Sequence, residues 1–362
     1  MCDMRVIQII DSLNVGGAER VLIGLCNILQ SQGVKVSVCV LTDKLNLLPY
    51  LDKQIPVYRL RREFKWSLFK LYEINRLCSS FDIVHVHLRY NLRYVGLAKL
   101  LFGGKYRIVL HDHFGDIEKD RTVPRGLSFF MTRAWYIGVH PALLEWAVND
   151  VKIKREQVFF LANTIQKSTS ANMPDLKDAV ERSELSLIKV ANFRPSKNQV
   201  FAVRLLEQLS KQQVVKLALI GGINESEYYK EVRASVMQMS LNNQVEFIHD
   251  IKDVQPELYK YTLAIHTASM ESGPLVLLEY LAVGLPFLAY KTGQVAEELQ
   301  PDFPEFFLET FKIQDWIDRI QLILKMNLPA LQQRMIKHFE RQYAPEVYGE
   351  RCQALYRQIM ES

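Results

Sequence analysis

Long apolar runs are missing from this sequence of 362 residues. The longest uninterrupted nonpolar stretch, Tyr280 to Tyr290, contains Pro286 and falls well short of the roughly 18 residues that a membrane-spanning helix requires. The N-terminal MCDMRVIQII has no basic segment followed by an apolar one and a cleavage site, so it reads as the first strand of a soluble fold. Cysteine is scarce. The five cysteines, Cys2, Cys26, Cys39, Cys78 and Cys352, are odd in number and have no CxxC spacing. That argues against a disulfide framework and a structural zinc and suits a reducing cytosol, with the thiols as ordinary core or surface groups. Internal repeats and low-complexity tracts are also absent. What remains is 49% hydrophobic and 23% charged, a globular composition, and the length suits two domains.

The net charge of +5 is unevenly spread. Residues 1–165 hold 23 Lys and Arg against 15 Asp and Glu, whereas the remainder holds 22 against 25. A basic half joined to a mildly acidic half implies that the first half meets an anionic partner. Within it, residues 4–10, 34–41, 82–87 and 107–111 are near-continuous apolar runs, as expected of strands covered on both faces. Segments 18–31 and 91–102 lie between them with helical spacing. Strands alternating with helices predict βαβ units and a parallel sheet. A polar stretch, 166–183, reads as a linker, after which the pattern restarts at 186–191, 216–220, 245–248, 262–266 and 286–290. The reading is an α/β protein of two doubly wound Rossmann-like domains: 1–165, then the linker 166–183, then 184–344, and a helix at 345–362. Ligands of open parallel sheets sit at the carboxyl ends of strands, so the expected site is a cleft between the domains.

The most informative window is 266–298, HTASMESGPLVLLEYLAVGLPFLAYKTGQVAEE. Pro274 follows Gly273 just before an apolar helical run, and Gly284 and Pro286 stop it, which predicts a short helix over about 274–283. Its first amides, near Leu275 and Val276, lack intrahelical acceptors and, with the helix dipole, form an anion site able to hold a diphosphate. Glu271 precedes that end and Glu279 lies inside the helix. Carboxylates cannot help bind a phosphate, so their natural partners are hydroxyls of a ribose or hexose; an acidic residue favouring the dipole and a solvated helix Glu is the plainer alternative.

The run Glu271-Ser-Gly-Pro-Leu-Val-Leu-Leu-Glu279, followed by Gly284-Leu-Pro286, a strand and Thr292-Gly293, resembles the E-x7-E signature of family 4 retaining glycosyltransferases of GT-B fold. Asn14-Val-Gly-Gly-Ala-Glu-Arg20 is similar to that family's N-terminal glycine loop. Asn163-Thr-Ile165 is similar to the turn that ends its first domain, with Thr164 where Gly is usual. Ala191-Asn-Phe-Arg-Pro-Ser-Lys197 and Leu219-Ile-Gly221 are similar to its diphosphate-binding segment and the strand-Gly that follows. The resemblance covers nearly the whole chain and implies that 1–165 binds the acceptor, that 184–344 binds the nucleotide-sugar, and that the last helix, 345–362, is open to crossing back to the first domain. It implies that Glu271 meets donor-sugar hydroxyls near the reacting carbon and that Glu279 meets the ribose. Backbone at Ser272, Gly273, Pro274, Leu275 and Val276 would hold the diphosphate, with Gly16, Gly17 and Gly221 close to the donor. Arg194 and Lys197 would neutralise charge on the departing nucleoside diphosphate. The family usually has Gly directly after the first Glu, where this chain has Ser272. No cofactor and no metal are implied, the nucleotide-sugar being a co-substrate.

Gly16 and Gly17 open the helix at 18–31 without completing the G-x-G-x-x-G fingerprint. His85, His87, His111 and His113 form two H-x-H pairs at the ends of adjacent predicted strands, and residues two apart share a strand face. A metal site is geometrically open to them. The family resemblance instead points to His113 as a group meeting donor sugar or acceptor, with His85 and His87 in the core or behind it. The segment 58–72, YRLRREFKWSLFKLY, interleaves Arg59, Arg61, Arg62, Lys65 and Lys70 with Phe64, Trp66, Leu68 and Phe69. Such a pattern on a helix suits an anionic membrane surface or packing on the sheet, and no nucleic-acid-binding motif accompanies it.

The expectation is therefore a cytoplasmic hexosyl- or N-acetylhexosaminyl-transferase. It moves sugar from a nucleotide donor to a saccharide or lipid-linked acceptor with retention, in surface polysaccharide or glycolipid assembly, with peripheral contact to the membrane's cytoplasmic face. A nucleotide-sugar epimerase or hydrolase, a metal-dependent hydrolase built on the histidines, and a non-catalytic sugar-nucleotide-binding protein are the competing readings.

Overall fold

The computed structural model describes residues 4–14, 16–62, 64, 67–114, 117, 120–123, 125–165, 185–223, 225–251, 253–271 and 273–362. The polar stretch 166–183, Ser272, Lys65, Trp66 and Cys2 lie outside these residues. The chain divides into two compact units. One is Met1–Gln166 together with Ala344–Ser362, and the other is Lys167–Tyr343.

The first unit is built on a parallel sheet of seven strands: β1 (Arg5–Ile10), β2 (Lys35–Val40), β3 (Val57–Arg59), β4 (Ile83–His87), β5 (Arg107–Asp112), β6 (Trp135–Gly138) and β7 (Val158–Phe160), in the order β3-β2-β1-β4-β5-β6-β7. Five of six residues in β1 and in β2, and all of β4, are buried, because helices cover both faces of the sheet. The helix Gly17–Ser31 buries Val21, Leu22, Leu25, Cys26, Ile28 and Leu29, a stripe at helical spacing, against one face. The C-terminal helix Pro345–Glu361 adds Tyr348, Cys352, Tyr356 and Ile359 to that same core. A Cβ on Gly349 would lie 2.5 Å from the Ile28 Cγ2, so glycine there lets the two helices meet. The four described cysteines are buried and free.

The second unit repeats the plan with β8 (Leu185–Val190), β9 (Val215–Ile220), β10 (Val245–Ile248), β11 (Leu263–His266), β12 (Phe287–Tyr290) and β13 (Phe307–Leu308), ordered β10-β9-β8-β11-β12-β13, all parallel. In each sheet the order reverses beside the first strand, at β1/β4 and at β8/β11. Chain leaving the carboxyl ends of those strands diverges to opposite sides, which opens a crevice for ligand groups.

Two expectations change. Residues 58–72 are not one helix: Val57–Arg59 pairs with β2, and the helix that follows is Leu68–Cys78, capped by Ser67, whose hydroxyl accepts from the Lys70 amide at 3.4 Å. Pro274 is the N-cap of the helix Leu275–Val283 rather than its first residue, with φ −68° and ψ 95°. β3, β6, β7 and β13, of two to four residues, were not expected from the sequence.

Candidate functional site

At the β8/β11 switch the chain leaving β8 forms the turn Pro195–Lys197, closed by Asn198 in the left-handed region (φ 52°). Chain leaving β11 runs alongside it. The Ser269 amide donates to the Ser196 carbonyl at 2.9 Å, and the Thr267 hydroxyl donates to the Asn198 carbonyl at 2.8 Å. These bonds bring the Lys197 ammonium onto the Glu271 carboxylate in an ion pair whose side chains are 20% and 17% exposed. The Glu271 amide donates to Thr292 Oγ1 at 3.2 Å. A Cβ on the next residue, Gly293 (φ +77°), would sit 2.8 Å from the Glu271 carbonyl oxygen, so the Thr-Gly pair clamps this loop from β12.

Beneath the pair lie two buried groups that the sequence analysis did not single out. Lys189, in β8, is 1% exposed and its Nζ has no hydrogen-bond partner among the described residues. Burial pushes its ammonium down to about 7; the Glu271 charge opposes that shift and Lys197 adds to it. His266, ending β11, is also 1% exposed; its Nε2 lies 3.7 Å from the Glu271 carboxylate. Burial first, then Lys189 and Lys197, hold it well below the usual histidine range, so it is neutral. A lysine inside the apolar run SLIKVA was the available signal for Lys189.

The helix Leu275–Val283 starts directly after this loop and ends at Gly284 (φ 72°), where a Cβ would fall 2.4 Å from Gln332 Cγ. Its first turn carries the Leu275 and Val276 amides, and the Leu277 amide bonds back to the Pro274 carbonyl at 3.0 Å. Gly273 and Glu279 are half-buried here. At the end of β9, a Cβ on Gly221 would collide with the Ala191 carbonyl oxygen at 2.1 Å, so only glycine lets this strand end lie against the β8 loop. Arg194 is exposed, with no ion pair to a described residue, and the structure does not bring it to Glu271.

In the first unit, Gly16 is the N-cap of the helix beginning at Gly17, and a Cβ on it would meet Glu19 Oε2 at 2.2 Å, whereas Gly17 faces open space. Burial raises the half-buried Glu19 carboxyl. Beside it Arg62 donates to Asp11 at 2.8 Å and lies over the Tyr94 ring, so this arginine is not part of the exposed basic surface. The strand pairing His87↔His111 brings the four histidines together. Ring centroids of His111 and His113 are 4.2 Å apart, and those of His87 and His113 are 5.3 Å apart. Burial lowers all four, His85 to about 3 and His113 to about 4, so the cluster is neutral. Next to them Asp112 is 1% exposed and accepts from Arg89 and Tyr136, each at 2.7 Å.

A parallel sheet of seven strands and one of six, both with a polar site at the switch point, define a GT-B fold. The model for "Glycosyltransferase Family 4" matches residues 15–165, and that for "Glycosyl transferases group 1" matches 177–342. The chain belongs to the family 4 glycosyltransferases. It is 24% identical over 231 residues to the N-acetyl-alpha-D-glucosaminyl L-malate synthase of Bacillus anthracis, covering 61% of this chain and 59% of that one. It is 29% identical over 130 residues to the GDP-Man:Man(3)GlcNAc(2)-PP-Dol alpha-1,2-mannosyltransferase of Xenopus laevis, covering 33% of this chain and 26% of that one. These alignments span less than two thirds of either relative. Among solved structures, HepE of Anabaena in complex with UDP and glucose superposes with a TM-score of 0.79 at 18% identity, covering 98% of this chain and 99% of the other.

Proposed function

We propose that this glycosyltransferase moves a hexosyl or N-acetylhexosaminyl group from a nucleoside-diphosphate donor to a saccharide or lipid-linked acceptor, with retention of configuration. The observation that carries the reading is the Lys197–Glu271 pair set against the first turn of the Leu275–Val283 helix. Helix amides and a fixed cation suit a diphosphate, while a carboxylate one step away suits sugar hydroxyls. Glu279 would take the ribose. HepE was solved with UDP and glucose, which supports a donor of this kind. In the transfer, the bond from the anomeric carbon to the diphosphate oxygen breaks and a bond to the acceptor hydroxyl forms on the same face. The hydroxyl proton passes to the departing phosphate oxygen, and Lys197 stabilises the charge growing there. His113, at the end of β5, would meet a hydroxyl of sugar or acceptor. A panel of UDP-, GDP- and CMP-sugars tested for thermal stabilisation checks this, since a bound ligand raises stability by mass action. One nucleotide class should stand out, and a flat panel would count against a nucleotide donor.

An anionic bilayer is the proposed surface partner. Phe64, Leu68, Phe69 and Tyr72 are 50–77% exposed. The Tyr72 ring packs edge-on against Phe102 at 5.5 Å, joining these residues to the exposed Leu101 and Phe102. Arg59 and Arg61 lie exposed on the same segment. Of its cations, however, Arg61 pairs with Asp43 and Lys70 with Glu73, so apolar insertion has the larger share and charge the smaller. No described helix is long and apolar enough to cross a membrane. Vesicle co-sedimentation should show binding to anionic vesicles that Phe69→Ser weakens more than added salt does; no binding to either neutral or anionic vesicles would favour a soluble acceptor.

A further inference from the structure

Gln8 is a fully buried glutamine in β1, where the other buried residues are Val6, Ile7, Ile9 and Ile10. Its side chain is the centre of a continuous polar chain that ends at His113. The Gln8 Nε2 donates to the Tyr356 hydroxyl at 2.9 Å, and its Oε1 faces His87 Nε2 at 2.9 Å. A carbonyl oxygen only accepts, so His87 carries its proton on Nε2. The His87 ring is neutral, which leaves its Nδ1 bare, and His113 Nε2 lies 3.1 Å from that atom. The bond therefore requires a proton on His113 Nε2. At the other end the Tyr356 oxygen lies 2.6 Å from His85 Nδ1. The C-terminal helix, through Tyr356, thus reaches the end of β5 by way of one amide.

We propose that Gln8 and Tyr356 are positioning residues that set the ring tautomer of His113 through His87, leaving His113 Nδ1 as a hydrogen-bond acceptor for a substrate hydroxyl. The proposal rests on the reading of His113 as a group that meets sugar or acceptor. Direction in the chain is a property of the Gln8 amide. Turning that amide over reverses the bond to His87 and moves the His113 proton to Nδ1, where it would repel a hydroxyl proton instead of accepting it. Low dielectric and complete burial make each mismatched partner costly, so the bonds of the chain keep their direction or reverse together.

The same side chains raise the question of a metal. His85, His87 and His111 bring one nitrogen each to within 4.8 Å of one another, and His85 Nε2 and both His111 nitrogens have no partner among the described residues. His87, however, has both nitrogens engaged, with Gln8 and His113. The hydrogen-bonded chain is the arrangement these contacts satisfy.

Nitrogen-15 NMR of the full chain labelled at histidine reads the tautomer directly. The wild-type protein should show His113 protonated at Nε2. Gln8→Met should let both tautomers appear and lower kcat by about tenfold with little change in the donor KM. Tyr356→Phe, which frees the amide to turn, should mix the tautomers as well. An Nδ1-protonated His113 in the wild type, or an unchanged signature in Gln8→Met, would overturn the proposal. So would stoichiometric zinc retained by the purified protein. Full turnover by His113→Ala would remove His113 from the substrate site, and the same spectra would still decide whether Gln8 sets its ring.

Discussion

The two units share a parallel topology and a switch-point site, and they solve the problem of buried polar groups in opposite ways. In the second unit the site is charged: Glu271 and Lys197 pair, with Lys189 and neutral His266 buried below them. In the first, the histidine cluster itself is neutral, with His85 bonded to Tyr356 and His87 to Gln8, beside the buried Arg89–Asp112 ion pair. Desolvation explains both outcomes. A histidine can shed its charge near neutral pH at little cost, whereas a lysine beside a carboxylate is held close to its titration point. A charged site suits a diphosphate leaving group and a neutral hydrogen-bonding site suits hydroxyls, so one fold used twice can serve two different substrates.

Breaking the charged side should have the largest effect. Glu271→Ala should abolish transfer under saturating donor while the fold is retained, as read by turnover alongside circular dichroism. Lys197→Ala should slow the chemical step by about 2–4 kcal/mol, the size of losing one preorganised group that stabilises developing charge. Arg194→Ala should lose less, because Arg194 is exposed and not joined to Glu271; a larger loss for Arg194 than for Lys197 would reverse the assignment.

Stability against pH separates the two units. Lys189 titrates at about 7 when folded and near its ordinary value, about 10.4, when unfolded, so between these values the unfolded chain binds the extra proton. Stability should therefore rise with pH across that window, and Lys189→Met should flatten the rise and stabilise the protein at pH 7 by a few kcal/mol in denaturant titrations. The histidines act lower on the scale. His85 and His113 titrate at about 3 and 4 when folded against about 6.5 unfolded, so their contribution is complete above 6.5 and falls as acid is added. The unfolding free energy should drop between pH 6.5 and 4, by up to about 1.4 kcal/mol per histidine per pH unit, and the melting temperature should fall with it. His111→Phe, which removes a ring with two unpartnered nitrogens, should lessen that drop.

The sequence made the sheets legible wherever a strand is buried on both faces, because β1, β2, β4 and β5 are then near-continuous apolar runs. Edge strands such as β3 and β13 carry two or three residues and leave no such run. Glu271 and Lys197 were readable from motif order, and their contact required the backbone bonds between the loops after β8 and β11. Gln8 and Lys189 were visible as polar letters inside apolar strands. The family resemblance suggested the return of the final helix to the first domain, but nothing local in that helix shows that Tyr356 meets Gln8, 348 residues away, and His85, 271 residues away.

The most direct measurement is calorimetric titration of UDP, and then GDP, into the wild-type chain, Glu279→Ala and His113→Ala. One nucleotide should bind the wild type, bind Glu279→Ala at least about tenfold more weakly, the loss expected for a bond to a charged group, and bind His113→Ala unchanged. Full affinity in Glu279→Ala together with loss in His113→Ala would place the nucleotide in the first unit and contradict the division of labour argued above.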